Sequence, residues 1–115
     1  LCKIPARDIE NLFNASLRNP TLTGTNRALV FTAQSYYLIN IVKDYTAGLT
    51  AMNNMVASAP GVLENRMTLI KYLVALQRYS EAKLQLEVIE NMDKRHLYQK
   101  QIALYKATIL NEHRD

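Results

Sequence analysis

The sequence predicts an all-α fold of about six helices arranged as antiparallel hairpins. Apolar residues recur three and four positions apart in successive segments separated by turn signals, and no segment alternates between apolar and polar residues. The chain also repeats itself with a 34-residue period: positions 43–48 return as 77–82, so that Gly48 matches Ala82. A self-match at this period is typical of stacked helix–turn–helix units.

The composition is that of a single globular domain. The 115 residues are 49% hydrophobic and 21% charged. The net charge is +4, and the basic residues are mostly interleaved with acidic ones rather than clustered in one stretch. One cysteine, Cys2, allows no internal disulfide. No signal peptide is visible, and no apolar run reaches the ~18–20 residues that a membrane span needs. Because the chain begins at Leu1, we expect a piece of a longer protein, and no compartment is indicated.

The first part of the chain predicts a half-unit and one helix pair. A helix over 4–19 begins with Pro5 in its first turn and ends before Pro20. The first pair spans 24–60, with Thr23 as N-cap of a helix from Gly24 to Val42 and a second helix from Tyr45. Residues expected to face inward are Ile9, Leu12, Phe13, Leu17, Leu29, Phe31, Ser35, Leu38, Val42, Met52, Met55, Val56 and Ala59.

The second pair is predicted over 62–93, after the strong breaker Pro60-Gly61. Ser80 is expected to cap its second helix. The inward residues are Leu63, Met67, Ile70, Leu73, Val74, Ala82, Leu86, Ile89 and Met92, and Lys83–Glu87 and Glu90–Lys94 are expected to pair on the outer face.

The last helix is predicted over 94–111 and carries two apolar rows. One consists of Leu97, Leu104, Ala107 and Leu110, and the other of Tyr98, Ile102, Tyr105 and Ile109. A helix that is apolar on two sides is either a cap over the preceding pair or a dimer contact.

The 34-residue helix pair resembles the tetratricopeptide repeat (TPR) family. The resemblance covers most of the chain and is clearest over 69–92, through Leu69, Ile70, Leu73, Tyr79, Ala82 and Leu86; the preceding unit matches through Leu38, Tyr45, Gly48, Met52 and Pro60. It implies a right-handed solenoid of antiparallel hairpins. The chain departs from the family at Ile70, where Gly or Ala is preferred, and in an extra residue before Tyr45. Lys94 stands in place of the terminal proline, and there is no tryptophan.

The resemblance also implies a concave groove, lined by the first helix of each pair, that binds a peptide or helix of a partner protein. Carrying the family's positions over gives Gln34, Tyr37, Asn40, Ile41, Met67, Lys71, Tyr98, Gln101 and Tyr105. Tyrosine is a common binding hot spot because it combines a rigid apolar ring with a hydroxyl. The alternative is that Tyr37, Tyr98 and Tyr105 complete the core at its boundary.

We expect no catalytic, cofactor or metal site in the chain. His96 and His113 are far apart along the sequence, whereas metal ligands cluster at short spacing. The three glycines are scattered, so no phosphate-binding loop is present, and the carboxylates of Glu87 and Glu90 belong to a solvated helix face.

The primary functional hypothesis is therefore a non-catalytic protein-interaction module. One alternative is the helical tail of a larger membrane enzyme, because residues 19–29 loosely resemble repeat tails of bacterial O-antigen ligases and polymerases of surface-polysaccharide assembly. A second alternative is a nucleic-acid-binding domain that uses residues 94–96, Lys100 and Lys106, although a solvated turn and helix face is the simpler interpretation of this basic run.

Overall fold

The computed structural model describes residues 6–112, and the predictions for Cys2, Ile4, Pro5 and His113 lie outside this range. The described residues form six α-helices and no strand, which confirms the all-α fold. A π-helical turn, Tyr37–Val42, follows the second helix directly. The helices are α1 Ala6–Leu17, α2 Gly24–Tyr36, α3 Tyr45–Ser58, α4 Leu63–Ala75, α5 Tyr79–Met92 and α6 Gln99–Glu112.

The chain divides into two compact units between Ala59 and Pro60. The first unit contains α1 to α3 and the second contains α4 to α6. Within each unit the helices that follow one another along the chain pack together, most extensively α2 with α3 and α4 with α5. The division falls at the Pro60-Gly61 breaker, between the two predicted helix pairs.

The core of the first unit lies between α2 and α3, and three residues predicted to face inward, Leu12, Leu29 and Val42, are exposed instead. Leu29 is exposed because the buried face of α2 passes through Ala28, Phe31 and Ser35. Val42, the last residue of the π turn, is also exposed, because the wider turn rotates it away from that face. The buried residues are Ala28, Phe31, Ser35, Ile39, Gly48, Leu49, Ala51, Met52, Met55, Val56 and Ala59.

The closest approach in this core is made by Gly48 of α3. A Cβ atom built on Gly48 would lie 2.3 Å from Cγ1 and 2.9 Å from Cδ1 of Ile39, far inside van der Waals contact. Its repeat partner, Ala82 of α5, is fully buried in the second unit. The prediction that both positions face the interior is confirmed, and at Gly48 the reason is the Ile39 side chain.

The turn between the helices of each pair has the same backbone signature. Lys43 and Gln77, which occupy equivalent positions of the repeat, both adopt the left-handed conformation, with φ of 65° and 61°. After α4 the Arg78 N–H donates to the Leu73 carbonyl at 2.7 Å and the Gln77 N–H donates to the Val74 carbonyl at 3.0 Å. These two bonds form a Schellman motif, which closes the helix and reverses the chain.

In the first pair the equivalent turn is one residue longer. The Asp44 N–H donates to the Leu38 carbonyl, six residues back, at 2.9 Å, whereas the bond from Arg78 to Leu73 spans five. The π turn Tyr37–Val42 takes up the difference, since a π turn inserts one residue into an α-helix without breaking its hydrogen bonding. It therefore explains the extra residue before Tyr45.

Neither of the two side chains predicted to cap a helix, Thr23 and Ser80, makes a capping hydrogen bond. Asp44 caps α3, accepting from the Ala47 N–H at 3.1 Å, and Thr23 precedes α2 without a capping hydrogen bond from its side chain. The prediction that Ser80 caps α5 is wrong: α5 begins at Tyr79, so Ser80 is already inside its first turn. The Schellman turn ends at Arg78, and α5 begins at the next residue.

The core of the second unit is formed mainly by α4 and α5. Arg66 joins these helices, donating from Nη1 to Gln85 Oε1 at 3.1 Å and from Nε to the Pro60 carbonyl at 3.1 Å. The buried residues are Leu69, Ile70, Leu73, Ala82, Leu86, Ile89, Asp93, Ile102 and Ile109; the predicted core residues Leu63, Met67, Val74 and Met92 are half-buried.

The last helix begins at Gln99, five residues later than predicted. The cause is Asp93, whose carboxylate accepts from the Leu97 N–H at 2.9 Å and the Tyr98 N–H at 2.8 Å. His96 takes a left-handed conformation, with φ of 56°, to complete this turn. The predicted Glu90–Lys94 pair is replaced by an ion pair between Glu90 and Lys106 of α6.

Candidate functional site

The nine predicted groove residues are distributed over both units. Four of them, Gln34, Tyr37, Asn40 and Ile41, lie in the first unit. The other five, Met67, Lys71, Tyr98, Gln101 and Tyr105, lie in the second. Each set is therefore confined to one unit.

In the first unit the set lies along α2 and the π turn. Gln34 and Tyr37 are half-buried, and Asn40 and Ile41 are exposed. The ring of Tyr37 is 6.1 Å from the ring of Phe13 in α1, at an angle of 49°. Such a tilted pair is a packing contact. Tyr37 therefore packs at the boundary with α1, and part of its side chain remains exposed.

In the second unit the set lies on α4 and at the start and middle of α6. Glu64, near the beginning of α4, is close enough to Tyr98, the residue before α6, to act on its hydroxyl through charge and hydrogen bonding. Spacings of three and four residues place the other members on the same helix faces as these two. We call the six residues the α4–α6 surface: Glu64, Met67, Lys71, Tyr98, Gln101 and Tyr105.

The α4–α6 surface mixes aromatic and charged groups. Tyr98, Tyr105 and Met67 are half-buried, so part of each side chain is supported by the unit and part is open. Lys71 is exposed, with its Nζ 5.7 Å from the ring centroid of Tyr72. A supported aromatic row flanked by a cation and a carboxylate suits recognition of a polypeptide segment.

The electrostatics of this surface centre on Tyr98. Partial burial, together with the charge and hydrogen bond of Glu64 and the charge of Asp93, raises the pKa of Tyr98 above its ordinary value of 10.0. The fold therefore favours the neutral phenol. The contribution of the neutral Tyr98 phenol to the free energy of unfolding is fully present below pH 10. It is lost as the pH rises through the raised pKa of Tyr98.

Tyr98→Phe is expected to remove this part of the alkaline pH dependence. The free energy of unfolding of the wild type should fall more steeply above pH 10 than that of the variant, because only the wild type must ionise a phenol beside a carboxylate. Urea unfolding at a series of pH values, with the exposed Tyr36→Phe as control, measures the difference. Parallel curves for wild type and Tyr98→Phe would contradict the contact with Glu64.

The second unit also contains a half-open hollow of about 520 Å³ between α5 and α6. Leu86 and Ile109 form its floor, and exposed Leu110 lies at its edge. The remaining lining residues are Tyr79, Ser80, Lys83, Glu87, Glu90 and Lys106. Sequence reasoning missed it, because the repeat pattern marks the buried residues of each helix but not the gap left between α5 and α6.

A smaller hollow of about 310 Å³ lies along the same two helices, nearer their connecting turn. It is lined by Glu90, Asp93, His96, Gln99, Ile102, Ala103 and Lys106. Asp93 is engaged by two backbone N–H groups and Lys106 pairs with Glu90, so these charges already have partners inside the unit.

The basic run occupies the turn between α5 and α6, as its simpler interpretation predicts. Lys94, Arg95 and His96 are exposed there, and Lys100 is exposed on α6. Across residues 6–112, no group of three or more histidine, cysteine or carboxylate side chains is placed to hold a metal ion. In the same part of the chain, no helix is both long and apolar enough to cross a bilayer.

Comparison with known proteins finds no relative for the chain: no protein-family model, curated protein or solved structure matches it significantly. The TPR assignment thus stays a prediction, carried by the 34-residue period and the residues that repeat with it.

Proposed function

We propose that this chain is a non-catalytic protein-interaction module, built from degenerate TPR-like hairpins, that binds a peptide or helix of a partner protein. The observation that supports the proposal most is the proximity of Tyr98 to Glu64, since it brings a predicted residue at the start of α6 near the helix that carries Met67 and Lys71. We infer that the five positions chosen from sequence alone in the second unit belong to one surface.

The chemistry of the α4–α6 surface suggests the kind of segment it binds. Tyr98, directly before α6, and Tyr105 within it are seven residues apart, about two helical turns, and their half-buried rings lose little conformational entropy on binding. Lys71 and Glu64 offer one charge of each sign on α4. A segment with two apolar anchors and flanking charges matches this pattern.

The open part of the first-unit set offers a second, smaller contact area. Ile41 is 69% exposed at the π turn, and Asn40 beside it supplies an amide that both donates and accepts hydrogen bonds. π turns are often found at functional positions, which supports a binding role for this part of the first unit as well.

Tyr105→Ala and Tyr37→Ala are expected to weaken binding while preserving helicity. Short peptides selected against the wild-type chain from a displayed library serve as the probe. Loss of a ring at a hot spot should reduce affinity by about tenfold or more, since hot-spot truncations exceed ~1.4 kcal/mol. Isothermal titration gives the affinities, and circular dichroism reports the helix content of each variant.

The matched control is Leu84→Ala, an exposed apolar side chain on α5 that belongs to neither predicted set. Its affinity should equal that of the wild type. Unchanged affinity in both tyrosine variants would remove the groove assignment, and a failure to select any peptide would contradict the interaction module itself.

A further inference from the structure

One side of α6 carries an exposed apolar row, whose members Ala103 and Leu110 also border the hollows between α5 and α6. Leu104 is 65% exposed and Leu110 is 64% exposed, and Ala103 and Ala107, four residues apart, are also exposed on this side of the helix. The other row of α6 is the one that packs inward, with Ile102 and Ile109 buried. Of the two apolar rows in the sequence, only one is therefore used within the unit.

The 34-residue period shows what kind of element fits the exposed row. Ala103, Leu104 and Ala107 lie one repeat period after Leu69, Ile70 and Leu73 of α4. In α4, which forms a hairpin with α5, those three residues are buried with at most 1% of their surface exposed. The equivalent positions of α6 have no described antiparallel helix packed against them, unlike those of α4 in the hairpin.

We propose that a second copy of this chain supplies that helix, through antiparallel pairing of α6 with α6 of the other copy. The pairing is centred between residues 105 and 106, so that Leu104 of each copy lies over Ala107 of the other. In this pairing, α6 of one copy packs against α6 of the other copy in the way that α5 packs against α4 within the hairpin. The proposal does not depend on the α4–α6 surface or its ligand.

Shape favours this occupant over a generic apolar helix. Ala103 and Ala107 leave a shallow gap on α6, and Leu104 projects beside it, so one copy carries both the knob and the matching hole. Small residues at the crossing also let two backbones approach closely, as Gly48 does beside Ile39 in the first unit.

Charge favours the antiparallel direction. Exposed Lys100 lies near the beginning of α6, four residues before Leu104 and therefore on the same side of the helix. Antiparallel pairing brings Lys100 of each copy to the C-terminal end of α6 in the other, where the helix dipole is negative. Parallel pairing would instead place like charges side by side.

Sedimentation velocity over concentrations from about 1 µM to about 1 mM tests the proposal, a range that covers standard binding free energies from about −8 to −4 kcal/mol. A single pair of helices is a small interface, so we expect a reversible monomer–dimer equilibrium within this range. Leu104→Lys should abolish the dimer or weaken it at least tenfold. Leu84→Lys, at a leucine of α5 with 63% exposure, should leave it unchanged.

Cross-linking tests the direction. In a Cys2→Ser background, chains carrying Leu104→Cys are mixed with chains carrying Ala107→Cys and oxidised gently. Antiparallel pairing yields mainly the mixed disulfide, whereas parallel pairing yields each chain linked to itself. A monomer at every concentration, a dimer equally sensitive to both lysine variants, or self-linked products alone would overturn the proposal.

Discussion

Gly48→Ala is expected to destabilise the first unit by about 2 kcal/mol, although alanine is the better helix former by about 1 kcal/mol. The reason is steric, since the added methyl would lie 2.3 Å from Cγ1 of the buried Ile39. Accommodating it requires α3 to move away from Ile39 or Ile39 to leave its rotamer. Urea unfolding followed by circular dichroism measures the loss.

Two further variants isolate the contact. Gly61→Ala is the matched control, because nothing lies within 4 Å of a Cβ at Gly61, and it should leave the free energy of unfolding nearly unchanged. In an Ile39→Ala background the clash is absent, so Gly48→Ala should become neutral or stabilising by up to ~1 kcal/mol. An equal loss in both backgrounds would refute the close approach of the two residues.

Asp93→Ala is expected to destabilise the second unit by about 3 kcal/mol. Asp93 is 4% exposed, and its carboxylate holds both the Leu97 and the Tyr98 N–H groups. Removing it leaves two backbone donors without their charged partner in the turn that starts α6, and bonds to charged groups contribute ~1.5–3 kcal/mol each. Asp93→Asn, which keeps one acceptor oxygen, should lose about half as much.

Hydrogen exchange locates the effect of Asp93. The amides of Leu97 and Tyr98 should lose protection in Asp93→Ala before the rest of the second unit does. Asp44→Ala provides the comparison, because this exposed N-cap holds a single N–H group and should cost only about 1 kcal/mol. If the two alanine variants were equally stable, Asp93 would be no more than an ordinary surface cap.

The helices were predictable because the apolar spacing and the breakers agree. Five of the six described α-helices begin within two residues of their predicted starts, and Pro60-Gly61 falls at the division of the two units. The period also identified Gly48 and Ala82 as buried positions from their small size and equivalent places in the repeat. The local apolar spacing and the 34-residue repeat were together sufficient to predict these helices and the two buried small residues.

The errors arose where one side chain or one turn overrides the local pattern. Nothing in the residues 94–98 excludes a helix, but the Asp93 carboxylate captures the N–H groups of Leu97 and Tyr98 and delays α6 to Gln99. Ser80 looked like a cap, yet the Schellman turn through Gln77 places the start of α5 before it, at Tyr79. The extra residue before Tyr45 was visible in the sequence, but its accommodation as a π turn was not.

The sequence selected residues for the candidate site but not the contacts between them. The family's positions gave Tyr98, directly before α6, and Tyr105 within it, while the proximity of Tyr98 to Glu64 depends on the packing within the second unit. The hollow above Leu86 and Ile109 depends likewise on the spacing of two helices. Distances between elements are set by packing in three dimensions, which a pattern along one chain does not encode.

Amide chemical-shift mapping tests the central claim most directly. The ¹⁵N-labelled chain is titrated with the tightest peptide selected against it. We expect the largest shifts within the second unit at the α4–α6 surface, around Lys71, Gln101 and Tyr105. Shifts confined instead to the hollow between α5 and α6, around Lys83 and Leu110, would contradict it.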